Sequence, residues 1–212
     1  MLKVKICGLT NAGDAQLACD LGADALGFIF YEKSPRYVTP VQAGTIIDEL
    51  PAFVQKIGVF VNCEIETVHE VFNEAGLTFA QIHGNESPDY CAELSVPYIK
   101  AFRVDSGFDT ESIAQFNCHT FLMDAFSKDA YGGTGETFNW DLAVHAKRYG
   151  YLILAGGLNP GNILEAVKTV EPYAVDISSG VEAEPGKKDL KKMKSLFDKI
   201  NHYRLKSQFY ND

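Results

Sequence analysis

No stretch of this 212-residue sequence is apolar enough to cross a bilayer. The longest such run, Ala25–Tyr31, has seven residues, Gly27 among them, where a span needs about 18. Net positive charge is lacking too: 19 Lys and Arg face 28 Asp and Glu, a formal charge of −9. A negative field repels nucleic acid and anionic lipid, so neither is an expected partner, and any anion must be caught by a local site. The five cysteines, Cys7, Cys19, Cys63, Cys91 and Cys118, form no Cys-x-x-Cys pair. Neither a zinc site nor a disulfide framework is suggested. The amino terminus, Met1-Leu-Lys-Val-Lys-Ile-Cys7, has no long apolar stretch and no small-residue cleavage site, so a cytoplasmic protein is expected.

What the chain does have is the composition of an ordinary globular domain, 46% hydrophobic and 22% charged. Eight short segments rich in branched and aromatic residues recur along it. They are Leu2–Ile6, Asp24–Phe30, Lys56–Val61, Thr78–Ile82, Tyr98–Phe102, Thr120–Asp124, Tyr151–Ala155 and Ala174–Ser178. Each is followed by a stretch compatible with an amphipathic helix: Asn11–Leu21, a segment opening at Thr39-Pro40, Glu64–Ala75, Ser87–Leu94, Thr110–Phe116, Trp140–Tyr149, Pro160–Val170 and Lys188–Asn201. Ser87-Pro88 and Asn159-Pro160 have the form of a cap followed by a first-turn proline.

Strand then helix, eight times over, predicts a parallel sheet covered by helices. A closed single-domain α/β barrel, the (β/α)8 TIM barrel, accommodates eight units without open edges; an open doubly wound sheet is the alternative. The domain is expected over residues 1–205, with 206–212 as a frayed tail. Two longer gaps leave room for extended loops at Tyr31–Val38 and Ala125–Asn139.

In such a barrel, ligands meet the C-terminal ends of the strands. Reading outward from each segment gives Cys7, Phe28 to Arg36, Asn62, His83, Arg103, Asp124, Gly156-Gly157 and Ser178-Ser179-Gly180. The glycine-rich Leu154-Ala-Gly-Gly-Leu-Asn-Pro-Gly161 and Asp176-Ile-Ser-Ser-Gly-Val-Glu182 follow segments seven and eight, where this fold commonly cradles phosphate. Glycine permits close backbone approach, and amide N–H groups supply donors without net positive charge. Each loop alone reads equally well as an ordinary turn; their joint placement favours phosphate.

A cysteine is ordinarily an inert core residue, and Cys7 differs in standing at a strand end facing a ligand mouth. A free thiol titrates near ~8.5, and helix N-termini converging on the mouth are expected to lower that value toward useful base strength. A carboxylate placed like Asp124 is ordinarily a cap or an ion-pair partner. To serve as a general acid it must hold a proton, which demands an apolar setting or a negative neighbour. Arg36 offers a planar fork for a carboxylate, or a solvated loop cation. His83 reads as a hydrogen-bonded structural histidine, or as a metal ligand without an evident partner.

Together these residues resemble phosphoribosylanthranilate isomerase of tryptophan biosynthesis. The resemblance rests on Lys5-Ile-Cys-Gly-Leu-Thr10, Gly27-Phe-Ile-Phe30, Lys33-Ser-Pro-Arg-Tyr-Val38, Gly58-Val-Phe-Val61, Gln81-Ile-His-Gly84 and Asp124. It continues through Gly132-Gly-Thr-Gly135, Phe138-Asn-Trp140, Ala155-Gly-Gly-Leu-Asn-Pro160 and Asp176-Ile-Ser-Ser-Gly-Val-Glu182. It implies a cofactor-free and metal-free Amadori rearrangement of N-(5′-phosphoribosyl)anthranilate to 1-(2-carboxyphenylamino)-1-deoxyribulose 5-phosphate. Carried over by position, Cys7 would be the general base and Asp124 the general acid. Arg36, His83, Gly156, Gly157, Asp176, Ser178, Ser179 and Gly180 would bind the phosphorylated small-molecule substrate. Two other readings fit fewer of these residues: a metal-dependent sugar-phosphate epimerase using His83 and Asp124, and a non-catalytic phosphate-ligand binding barrel. Nothing in the sequence distinguishes a monomer from a homodimer.

Overall fold

The computed structural model describes residues 1–125 and 140–209. Eight parallel strands close into a barrel in chain order: β1 (Lys3–Cys7), β2 (Ala25–Ile29), β3 (Gln55–Phe60), β4 (Phe79–Ile82), β5 (Tyr98–Val104), β6 (Thr120–Ala125), β7 (Tyr151–Ala155) and β8 (Ala174–Ile177). Each falls on one of the eight apolar segments, within two residues at either end. The ring is sealed by pairing of the first strand with the last, Lys5 opposite Asp176 and Ile6 opposite Ile177.

Alternation along the strands sorts the side chains into two layers. One set, including Val4, Ile6, Leu26, Phe28, Ile82, Phe121 and Val175, packs outward in a large buried cluster with the helices. The other, Ile57, Ile99, Ala101, Leu122, Ile153, Ala155 and Ala174, fills the barrel interior. Phe28, expected at the mouth, lies in the outward layer instead and is fully buried.

The helices begin where local chemistry can satisfy their first amides. The Asn11 side chain accepts from the Asp14 amide to open α1 (Ala12–Leu21), which ends at left-handed Gly22. Thr39 and Gln42 form a reciprocal capping box before α2 (Pro40–Ile47). Then come α3 (Ile65–Glu74) and α4 (Pro88–Glu93), the latter capped by Ser87. The Thr110–Gln115 segment winds as a 3-10 helix rather than an α-helix, and α5 (Trp140–Ala146) passes into 3-10 turn at Lys147–Tyr149.

Asn159-Pro160 does not start a helix. The Asn159 side chain accepts from the Gly161 amide at 2.7 Å, while the Asn159 amide donates to the Asn162 side chain at 2.9 Å. These turns delay α6 to Ile163–Val170. Lys188 likewise lies in a small hairpin, β9 (Glu182–Glu184) with β10 (Lys187–Lys188), ahead of α7 (Leu190–Phe209). That helix runs past the expected boundary at residue 205. Its Arg204 donates to the Leu2 carbonyl and to Asp24, which also accepts from Lys3. The loop motifs of 126–139, including Gly132-Gly-Thr-Gly135, and residues 210–212 lie outside the described residues.

Candidate active site

The C-terminal ends of the strands surround a cavity of about 240 Å³. Cys7, Arg36, His83, Asp124, Gly156, Gly157, Asp176, Ser178 and Ser179 all line it. Sequence position thus brings nine of the ten expected residues to one mouth. Gly180 is the tenth and is not among the lining residues. A Cβ placed there would stand 1.9 Å from the Leu158 carbonyl oxygen, so its missing side chain lets the β7 and β8 loops touch. Arg103 points to solvent and is also absent from the lining. Ile29, Val59, Gln81, Ala155 and Leu158 complete the wall.

Gly156 and Gly157 both adopt the left-handed backbone region, with φ of 87° and 64°. Next to them Ser178 and the short 3-10 turn Ser179–Val181 close the other side of the same corner. Close-packed backbone with exposed amides and two hydroxyl groups suits a phosphate's acceptor oxygens.

Cys7 ends β1 and is 6% exposed. Burial pushes its thiol above the usual cysteine range, and Asp176 adds to this; Lys5 and Lys188 pull the other way. The expectation that helix termini lower this thiol is therefore corrected: desolvation outweighs the local charges.

Asp124, at the end of β6, faces His83 from β4. The histidine Nε2 is 3.3 Å from the Asp124 carboxylate, and its Nδ1 is 2.8 Å from the Gln81 side-chain nitrogen. A Gln amide nitrogen can only donate, so Nδ1 is the acceptor and a neutral His83 carries its proton on Nε2, aimed at Asp124. His83 is thus an oriented donor at the rim. Among the described residues the Asp124 side chain is about a third exposed.

Arg36 is not a free fork. Its Nε and Nη2 edge is held bidentately by Glu182, with contacts of 2.9, 3.1 and 2.6 Å. Glu182 in turn accepts from Lys188, whose buried ammonium also donates to the Cys7 and Ser178 carbonyls. Burial raises the Glu182 carboxyl, but hydrogen bonds from Arg36 and Lys188 outweigh it and leave the group below the usual glutamate range. Sequence reasoning missed this pair, because Glu182 lies 146 positions from Arg36 with no local pattern to join them.

Deeper in the barrel Lys5 meets Asp176 at 2.7 Å, both almost fully buried, and the second Asp176 oxygen has no partner among the described residues. Lys5 was also missed, although alternation from Cys7 points it inward. No group of three or more His, Cys, Asp or Glu among the described residues is placed to hold a metal ion.

This rim can donate to a phosphate at one side, offer a cation at another, and set a thiol and a carboxyl group around the space between. Residues 4–199 match the model of the N-(5′-phosphoribosyl)anthranilate (PRA) isomerase family. The chain belongs to that family. Among curated relatives, the N-(5′-phosphoribosyl)anthranilate isomerase of Geobacter metallireducens is 52% identical over 92% of this chain and 97% of its own. That of Citrifermentans bemidjiense is 51% identical over 92% and 95%. The crystal structure of phosphoribosyl anthranilate isomerase from Thermotoga maritima superposes with a TM-score of 0.88 at 42% identity, covering 95% of this chain and all of that one. A further solved family member, 40% identical with a TM-score of 0.84 over 95% of this chain and all of that one, is in complex with reduced 1-(o-carboxyphenylamino)-1-deoxyribulose 5-phosphate.

Proposed function

We propose that this chain catalyses the rearrangement named by its family, converting N-(5′-phosphoribosyl)anthranilate to 1-(2-carboxyphenylamino)-1-deoxyribulose 5-phosphate for tryptophan biosynthesis in the cytoplasm. The observation that carries the reading is the shared cavity: Cys7 and Asp124, from strands on different sides of the ring, border one space together with the glycine loops. Asp124 protonates the furanose ring oxygen, and the ring opens to an iminium. Cys7 then removes the proton from the adjacent sugar carbon, giving an enolamine that tautomerises to the ketone. The electrons stay within one molecule, so the reaction calls for neither a metal nor a redox cofactor.

Gly156, Gly157, Ser178 and Ser179 hold the phosphate. The Nη1 edge of Arg36, the one Glu182 leaves open, meets the anthranilate carboxylate. The unpartnered oxygen of Asp176 accepts from a sugar hydroxyl, and the His83 Nε2 proton steadies Asp124 once it is ionised. Anchoring both ends of the substrate holds the reacting bonds between acid and base. Loss of phosphoribosylanthranilate fluorescence, followed with and without chelator, tests the reading. Turnover unaffected by chelation is expected; abolition by chelator would favour the epimerase, and binding without turnover the passive barrel.

A second reading concerns assembly. One solved relative is a monomer generated from the dimeric phosphoribosylanthranilate isomerase of Thermotoga maritima. Here Phe53 is 98% exposed and borders a cavity of about 280 Å³ at the opposite, N-terminal mouth of the barrel. A protruding ring beside a receptive hollow on one face is self-complementary under a two-fold axis. We infer that two copies pair through this mouth, each inserting Phe53 into the other. Equilibrium sedimentation is expected to show a dimer that Phe53→Asp converts to monomer; a monomeric wild type would sink the inference.

A further inference from the structure

The barrel interior below the cavity is apolar except for a few side chains, and the buried Lys5–Asp176 pair is the charged element next to the thiol. A buried ion pair is weak as a stabilising device, since well-packed apolar residues of similar volume often do as well or better. Its position offers a different use. Lys5 and Cys7 alternate on the inward face of β1, and Cys7 pairs in register with Gly27 of β2. Gly27 leaves a vacant space into which both side chains lean: a Cβ there would stand 2.6 Å from the Cys7 sulfur and 3.1 Å from the Lys5 ammonium nitrogen. The ammonium is thus brought to the flank of the sulfur, while Asp176 fixes its far side at 2.7 Å.

We propose that Lys5 is a positioning residue for Cys7, an ammonium held by Asp176 that supplies the counter-charge for the thiolate. The proposal rests on Cys7 being the general base, and deepens that reading. When the thiol proton leaves to solvent, the sulfur anion remains beside Lys5, and in turnover that anion takes the proton from the sugar carbon. The charges that act on the sulfur are Lys5 on β1, Asp176 on β8, Lys188 on β10 and Arg36 on the β2 loop. Lys188 donates to the Cys7 carbonyl and is already committed to Glu182. Lys5 is the cation whose pull on the sulfur is largest, and it acts against desolvation.

The test reads the thiol directly. Thiolate absorbance in the ultraviolet is titrated for the wild type minus Cys7→Ala, and for Lys5→Met minus the Lys5→Met/Cys7→Ala double variant. The Cys7 titration in Lys5→Met is expected to move upward by at least one pH unit. The rising limb of kcat/KM against pH should move with it, with KM little changed. Lys5→Arg, which keeps the charge, should restore most of the original profile. A Lys5→Met thiol that titrates like the wild type overturns the proposal. If Lys5→Met fails to fold, Lys5→Gln, which keeps a hydrogen-bond donor toward Asp176 without the charge, is read by the same criterion. If the thiol moves but the activity limb does not, Cys7 as base falls and takes the catalytic purpose of Lys5 with it. Near-normal turnover by Cys7→Ala would identify the failure as that of the base alone.

Discussion

Arg36 and Glu182 lie edge to edge, the guanidinium Nη2 2.6 Å from one carboxylate oxygen, with the Lys188 ammonium 2.9 Å from the other. One anion therefore fixes two cations, and through them the β2 loop, the β8 loop and the end of β1. Removing it leaves the fully buried Lys188 charge without its counter-ion. Glu182→Ala is expected to cost on the order of 3–5 kcal/mol in urea unfolding and to raise KM through a loosened Arg36. A stability loss below about 1 kcal/mol, within the range of surface pairs, would show the cluster to be ornamental.

The same group makes stability depend on acid. Because the Glu182 carboxyl is held below the usual glutamate range, its contribution is fully present above that range. It fades as pH falls through the ordinary range and is gone below the folded value. The gap in urea midpoint between wild type and Glu182→Gln should therefore be widest near neutrality and shrink on acidification. A gap independent of pH would contradict the assignment.

For catalysis, Cys7→Ala and Asp124→Asn should each reduce turnover by at least ~10²–10⁴-fold, the usual contribution of a general acid or base. Circular dichroism should be unchanged. Cys19→Ala, on the partly exposed side of α1, should leave kinetics near the wild-type values.

Gly180→Ala tests the contact between the two phosphate-side loops. The new methyl group would meet the Leu158 carbonyl within covalent-like range, so the loops must part. The expected cost is about 1–3 kcal/mol, as for overpacking, with KM rising more than kcat falls. An unchanged KM would separate Gly180 from the shape of the site.

The strands were legible because branched and aromatic runs mark them whatever their partners. Ser87 was legible as a cap because capping is settled within four residues. Thr110–Gln115 kept its helical pattern but tightened to 3-10, and Asn159 spent its side chain on a turn, outcomes that depend on how the chain must re-enter the next strand. Strand-end position alone gathered Cys7, His83, Asp124 and the β7 and β8 loops. Lys5 was recoverable from the alternation of β1 about Cys7. Glu182 was not, because only barrel closure brings it to Arg36. Nor could residue types reveal how strongly burial acts on Cys7, since that depends on the packed surroundings.

The seam between β1 and β8 sets when this protein can begin to work. Lys5 and Asp176 are 171 positions apart, so the charged floor of the cavity is assembled from the first and last strands of the barrel. A nascent polypeptide holding the first seven strands has every rim residue up to Gly157 and still lacks a closed mouth, with the flanks of β1 and β7 bare to other chains. Competence therefore waits on β8, and begins when Asp176 is seated beside Lys5.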